Sequence, residues 1–425
     1  TPSPLADHFP PRDAAACIRN ILSSKPYHPQ DKMHPVKIMA VLGLSAVASA
    51  APLDTPLEAR DAGDILADLQ AQAMENLKAA EANGTISKRG SCNLFNAQVR
   101  RDWAAFSTKE RKEYISAVQC LLTSPSKSDP SFAPGARNRY DDFVAVHINQ
   151  TRSIHGTGNF LTWHRYYTWA YENALKTECG YKGAQPYWNW FAHTDDPRKS
   201  PVYDGSETSL SGDGAYVPHN GSVSASPFGE IFVPSGHGGG CVTSGPLVNM
   251  TVNLGPVSPG MRGLEVNPNG AMEYNPRCLR RDLSAFAAST WLTPTNLLNV
   301  TIGQASKNIK TFQDELQGRF DQGFLGMHAA GHFVANGDAS DLYASPTDPS
   351  FFLHHAMVDR VYWLWQALHL WEAFEIAGTI TILNLPPSRD ATKEDFIEMG
   401  VLTQNRPIND LLNTIDGSPF CYVYL

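Results

Sequence analysis

Six histidines, falling into two triplets, constrain this chain more than any other feature of its sequence. The first triplet is His147, His155 and His164, and the second is His328, His332 and His355. Neutral imidazole suits copper, zinc, iron and nickel better than magnesium or calcium. Three nitrogens per ion leave a coordination position open, which is what a small substrate needs. Two such sites brought together can hold one dioxygen between two metals, so the chain must carry widely separated segments to one pocket.

The local pattern places most of these side chains on helices. Tyr140, Phe143, Val144 and His147 recur at i, i+3, i+4 and i+7, one face of a helix. His155 lies in the breaker-rich stretch His155-Gly-Thr-Gly-Asn159 and is expected in a loop. His164 opens an aromatic run that continues without breakers to Leu175 and reads as a buried helix. His328 and His332 are four apart and share a helical face, and Asn336-Gly337 closes that helix. His355 and Asp359 repeat the same spacing.

Taken singly, these residues have plainer explanations. A lone histidine on an apolar face is more often a hydrogen-bonded core residue than a ligand. His328 and His332 alone also suit zinc. The zinc-protease helix, however, carries Glu directly after its first His as general base, and here that residue is Ala329.

Two longer stretches join the pieces. Residues 155–172 (His-Gly-Thr-Gly-Asn-Phe-Leu-Thr-Trp-His-Arg-Tyr-Tyr-Thr-Trp-Ala-Tyr-Glu) resemble the first copper motif of the tyrosinase and catechol oxidase family. Residues 348–359 (Asp-Pro-Ser-Phe-Phe-Leu-His-His-Ala-Met-Val-Asp) resemble the second. Gln185-Pro-Tyr-Trp-Asn-Trp190 and Pro419-Phe-Cys-Tyr-Val-Tyr424 are similar to secreted ascomycete members. The resemblance covers about residues 90–425. It implies two copper ions held by the six histidines, with His355 and not His354 as the last ligand. It also implies phenolic substrates, dioxygen as oxidant, and a four-helix bundle around the dicopper centre. The fold class expected is thus mainly α, with long loop insertions and a few short strands.

The net charge of −8 leaves no nucleic-acid footprint, and no nucleotide-binding or hydrolase motif is present. No membrane span is expected. Residues 1–32 remain an uninterpreted upstream segment. Residues 33–50 read as a signal peptide: Met33 and Lys37 precede an apolar run too short for the ~20 residues of a membrane span, and Ala48-Ser49-Ala50 matches a cleavage site. Residues 51–89 read as a propeptide. Its Asp64–Asn83 stretch is an amphipathic helix pattern with Leu66, Leu69, Ala73 and Leu77 on one side, and it ends at the dibasic pair Lys88-Arg89. Residues 90–425 form the copper domain, and any covering of its site is expected from the propeptide. Of seven cysteines, six remain once Cys17 is removed, an even number. The weak preference is for a Cys241–Cys278 pair around a loop-rich insertion. Asn149, Asn220, Asn249 and Asn299 are possible glycan acceptors. Together these features predict secretion. Within the domain, Ser107-Thr-Lys-Glu110 is a capping-box pattern before Tyr114, Ile115, Val118 and Leu122. Residues 191–275 read as a long irregular insertion, and Thr379–Leu383 as a possible short strand.

The resemblance also bears on substrate choice. Relatives that hydroxylate monophenols well often carry Asn after the first His of the second site, acting with a nearby Glu on a water. This chain has Ala329 there, with Glu315 as the candidate Glu. Some relatives cross-link a Cys two residues before the second ligand; here that residue is Ser153. At the gating position above the first copper stands Leu342, intermediate in bulk. These features favour a catechol oxidase, converting o-diphenols to o-quinones with reduction of dioxygen to water. The alternatives are a true tyrosinase and, in another class, a haemocyanin-like dioxygen carrier. Asp359 and Arg165 are either supports for the ligands or a structural ion pair.

Overall fold

The structure is a computed structural model, and it describes residues 62–84 and 92–425. The upstream segment 1–32, the signal segment 33–50 and the dibasic pair lie outside the described residues. The fold is mainly helical. Its helices are α1 (Ala62–Ala82), α2 (Thr108–Thr123), α3 (Arg139–Ile154), α4 (Phe160–Cys179), α5 (Ala285–Trp291), α6 (Pro294–Thr301), α7 (Ile309–Gln317), α8 (Gly326–Ala335) and α9 (Ser350–Leu368).

The helix boundaries follow from local chemistry. Ser107 and Glu110 form the expected capping box at α2, with Tyr114, Ile115 and Val118 turned inward. Asn138 and Asp141 form a second box at α3. Gly180, at φ 71°, ends α4 in the left-handed region that glycine tolerates. Asn336, at φ 52°, ends α8. α3, α4, α8 and α9 make up the bundle around the histidines. α9 is buried on every side from Ser350 to Ala367, as a helix at the centre of a large core must be.

Short strands pair two by two. Gln98–Arg100 lies parallel to Tyr422–Tyr424, which brings the chain's last residues back to the start of the domain. The 191–275 insertion is more regular than its composition suggests. Ser222–Ser226 pairs with Gly229–Val233, and Gly214–Tyr216 pairs with Gly239–Val242. The possible strand at 379–383 does not form. Thr379 alone makes a bridge, to Asp390. The backbone then turns through Leu383 and Asn384 at φ 53° and 58°, and the Thr381 hydroxyl bonds the Pro386 carbonyl at 2.7 Å instead of extending a ladder.

All six cysteines of the described chain are paired: Cys92–Cys421, Cys120–Cys179 and Cys241–Cys278. The preferred pair is among them. No helix of the described residues is long and apolar enough to cross a membrane.

The amphipathic helix read in the 51–89 segment is α1. Leu66, Leu69, Ala73 and Leu77 are buried, as are Ile65 and Ala80. The Gln70 amide donates to the Tyr424 carbonyl at 2.6 Å and accepts from Arg360 at 3.2 Å, and the Asn76 amide donates to the Ala367 carbonyl at 3.0 Å. Arg360 and Ala367 sit roughly 120–140° around α9 from His355. α1 therefore braces α9 on a face away from the histidines.

Candidate metal centre

The bundle brings the two triplets face to face. His147 projects from the middle of α3, His164 from the first turns of α4, His328 and His332 from one face of α8, and His355 from α9. His155 stands outside this pattern as the residue that terminates α3, with φ −121° and ψ 140°. The ligand nitrogens of His147, His155 and His164 all lie within 4.8 Å of one another. Those of His328, His332, His354 and His355 form a second such group. The groups adjoin: ring centroids are 4.5 Å apart for His164 and His355, and 6.1 Å for His155 and His328.

Backbone carbonyls fix the rings of the first group. The Nδ1 of His147 bonds the Tyr343 carbonyl at 2.6 Å, that of His155 the Thr151 carbonyl at 3.0 Å, and that of His164 the Phe160 carbonyl at 2.8 Å. A carbonyl only accepts, so each Nδ1 carries the proton and each Nε2 keeps its lone pair. The Nε2 atoms of His147 and His164 are buried with no hydrogen-bond partner. A lone pair left so in a core needs an explanation, and a shared cation supplies one. In the second group, the Nε2 of His332 lies 3.3 Å from that of His328 and 3.2 Å from that of His355. Lone pairs aimed at one another at this distance repel unless a proton or a metal ion lies among them.

Burial sets the charge state. Desolvation pushes the His155 imidazole down to about 4 and that of His332 to about 3. It also lowers His147, His164, His328 and His355 well below the usual histidine value. All six are neutral near pH 7, the form that binds metal. Phe351 stacks on His355 at 4.1 Å and meets His147 at 5.4 Å, while Phe160 packs between His164 and His328. These rings cover the inner side of the histidine cluster, while His332 stays partly exposed.

His354 differs from its neighbours. Trp190 donates from Nε1 to His354 Nδ1 at 3.0 Å. Its Nδ1 is thus the acceptor, and in the neutral ring the proton sits on Nε2. Gly331 is required beside it, since a Cβ there would run into the His354 ring. The sequence carried no sign of this Trp190–His354–Gly331 contact, because its partners are far apart in the chain.

The remaining expected residues take distinct places. Ala329 is half-buried beside His328, and Leu342 is 41 % exposed, next to the Tyr343 carbonyl that holds His147. Arg165 and Asp359 bond each other at 2.6 Å, and Asp359 also accepts from Arg100, Tyr422 and Tyr424. They form a structural network and orient no histidine. Glu315 is buried and engaged by Arg319 at 2.8 Å and Asn299 at 2.9 Å. Ser153 bonds the Gln150 carbonyl at 2.9 Å.

Comparison with known proteins identifies the arrangement. The family model described as the common central domain of tyrosinase matches residues 137–368. The chain belongs to the tyrosinase family. It is 42 % identical over 312 residues to the tyrosinase-like protein orsC of Emericella nidulans, covering 70 % of this chain and 82 % of that protein. It is 38 % identical to tyrosinase P of Aspergillus terreus (77 % and 91 % covered) and 37 % identical to the N-acetyl-6-hydroxytryptophan oxidase ivoB of Emericella nidulans (78 % and 93 %). Among solved structures, a variant polyphenol oxidase from Thermothelomyces thermophila superposes with a TM-score of 0.80 at 38 % identity, covering 85 % of this chain and 98 % of that one. As a tyrosinase-family oxidoreductase, the chain has phenols and dioxygen as its substrate class, and the family implies a dicopper centre.

Proposed function

We propose that this protein is a dicopper catechol oxidase, with weak or no hydroxylation of monophenols. The observation that carries the dicopper assignment is the convergence of the two histidine groups, with the buried Nε2 atoms of His147 and His164 unpartnered and those of His328, His332 and His355 crowded against one another. His147, His155 and His164 would hold one copper, and His328, His332 and His355 the other. His355 is preferred over His354 because Trp190 occupies His354 Nδ1 and leaves its proton on Nε2.

When bound, the copper pair supplies dioxygen activation and electron transfer from the phenol. The chain's own residues position and cover the histidines. The carbonyls of Tyr343, Thr151 and Phe160 keep three Nε2 lone pairs aimed at one point, and Phe160 and Phe351 cover the inner side of the cluster. A phenol approaches past Leu342 and the part-exposed Ala329 and His332. Ala329 has no amide to orient a proton-accepting water, and the Glu315 carboxylate is already committed to Arg319 and Asn299. Both features favour substrates that do not need that help, which supports o-diphenols over monophenols.

A true tyrosinase is the second reading, favoured by the names of other relatives. Oxygen uptake with 4-tert-butylcatechol, run beside 4-tert-butylphenol on metal-analysed protein, separates them. Comparable turnover of both phenols would overturn the catechol oxidase reading. Reversible oxygen binding without turnover of either would mark a carrier. Secretion, signal cleavage near Ala50 and cutting after Arg89 belong to the same proposal, supported by three disulfides. Exposed Asn149, Asn220 and Asn249 suit glycans better than Asn299, whose amide is engaged by Glu315.

A further inference from the structure

Five of the six histidines sit within helices, whose backbones fix them. His155 does not, because it ends α3 in extended conformation and is followed by Gly156 at φ 56°. A ligand on a loop is as well placed as the groups that hold the loop. Its Nδ1 bond to Thr151 orients the ring, but the backbone after His155 needs separate anchoring.

That anchoring comes largely from two glutamines of α7. Gln317 accepts from the Gly156 amide through Oε1 at 2.8 Å. Gln313, 4 % exposed, donates through Nε2 to the Thr157 carbonyl at 2.9 Å and to the Ala377 carbonyl at 3.2 Å. Its single amide thus ties the His155 loop to the 376–391 loop. That second loop closes the opposite side. The Leu383 amide donates to the Gly156 carbonyl at 3.0 Å, and the Gly158 amide to the Thr379 carbonyl at 2.9 Å. Gly378 packs so tightly on Gly158 that neither position has room for a Cβ.

We propose that Gln313 and Gln317 are positioning residues that hold His155 for metal binding, acting through Thr157 and Gly156. This rests on the dicopper reading above. The two glutamines use opposite ends of the amide, so one substitution separates them. Gln313→Glu is nearly isosteric but replaces the donor with a carboxylate facing two carbonyls. Gln317→Glu keeps the acceptor that Gly156 needs, whereas Gln317→Leu removes it.

The test loads each full-length protein with copper, dialyses it against a mild chelator, and follows copper per chain by metal analysis. Melting of the copper-free proteins is measured in parallel. The wild type should start with two coppers. Gln313→Glu and Gln317→Leu should release one of the two equivalents about tenfold faster, the scale typical for groups supporting metal ligands. Gln317→Glu should release it at the wild-type rate, and copper-free melting should be little changed for the Gln317 pair. Wild-type release from both Gln313→Glu and Gln317→Leu overturns the proposal, as does loss of both equivalents together with a lowered copper-free melting point. If Gln313→Glu fails to fold, the Gln317 pair decides alone. A wild type that takes up no copper overturns the dicopper reading itself, whereas a two-copper wild type with unaffected variants overturns only the positioning role.

Discussion

His164 and His355 stack with ring centroids 4.5 Å apart and planes 14° from parallel, although one closes the first triplet and the other the second. They come from α4 and α9, the central helix pair of the bundle. The contact makes the two candidate metal sites one pocket, and it ties any chemistry there to the packing of those two helices.

The ligand assignment predicts different fates for adjacent residues. His355→Ala should leave about one copper per chain and abolish oxidation of catechol. His354→Ala should retain two coppers, because its Nδ1 is taken by Trp190. Metal analysis beside oxygen uptake checks both. Loss of a copper from His354→Ala, with retention in His355→Ala, would reverse the assignment.

The Asp359 network should be a main support of the fold. Asp359 accepts from Arg165, Arg100, Tyr422 and Tyr424 in a buried setting. Burial alone would raise its pKa, but Arg165 and Arg100 outweigh it and hold the carboxyl below the ordinary aspartate value. A depressed carboxyl contributes stability that is fully present above the unfolded value, about 3.9, and fades as pH falls through the folded one. Asp359→Asn should therefore destabilise at pH 7 by about 3–5 kcal/mol, the range for removing one partner of a buried ion pair. The difference from wild type should shrink only in acid below about pH 4. Urea unfolding at several pH values measures this. Tyr422→Phe should cost about 1.5–3 kcal/mol, as one hydrogen bond to a charged group.

The substrate argument rests on one side chain. Ala329→Asn should raise monophenol hydroxylation relative to diphenol oxidation, since a positioned general base is worth about 10²–10⁴-fold and even a tenfold gain is measurable. Leu342→Ala, tested alone and combined, shows whether docking at the exposed Leu342 limits the effect. Wild-type hydroxylation at diphenol-like rates without a lag would show that Ala329 does not decide the substrate.

Much of this was legible in the sequence because it was local. Helical spacing placed His147 among Tyr140, Phe143 and Val144, and the four-residue spacing put His328 and His332 on one face. What escaped was tertiary. The contact of Trp190 with His354 joins residues 164 positions apart, and Gln313 meets Thr157 across 156. Neither has a periodic signature. The possible strand at 379–383 does not form, for a local reason that β-branched composition hides: the backbone turns at Leu383 and the following Asn384, both at positive φ. Asp359 and Arg165 proved partners of each other because the Tyr422 and Tyr424 hydroxyls close the cluster from the far end of the chain.

The last prediction concerns α1. Read from sequence it belongs to a propeptide to be cut at Lys88-Arg89, yet it buries Ile65, Leu66, Leu69, Ala73, Leu77 and Ala80, with hydrogen bonds to Arg360, Ala367 and Tyr424. The match with the Thermothelomyces thermophila polyphenol oxidase covers 85 % of this chain, more than residues 90–425 alone can supply. Without α1, the outer face of α9 would present its core side chains to water, and Arg360 would lose its bond to Gln70. A cut after Arg89 should therefore leave α1 bound as a separate peptide rather than release it. Native mass spectrometry of the cut protein should show both pieces in one particle, and denaturing conditions should part them. Leu69→Ala should lower stability by about 2–5 kcal/mol, as for a fully buried leucine. A fully stable and active chain of residues 90–425 with no α1 peptide would show that the helix is dispensable packing.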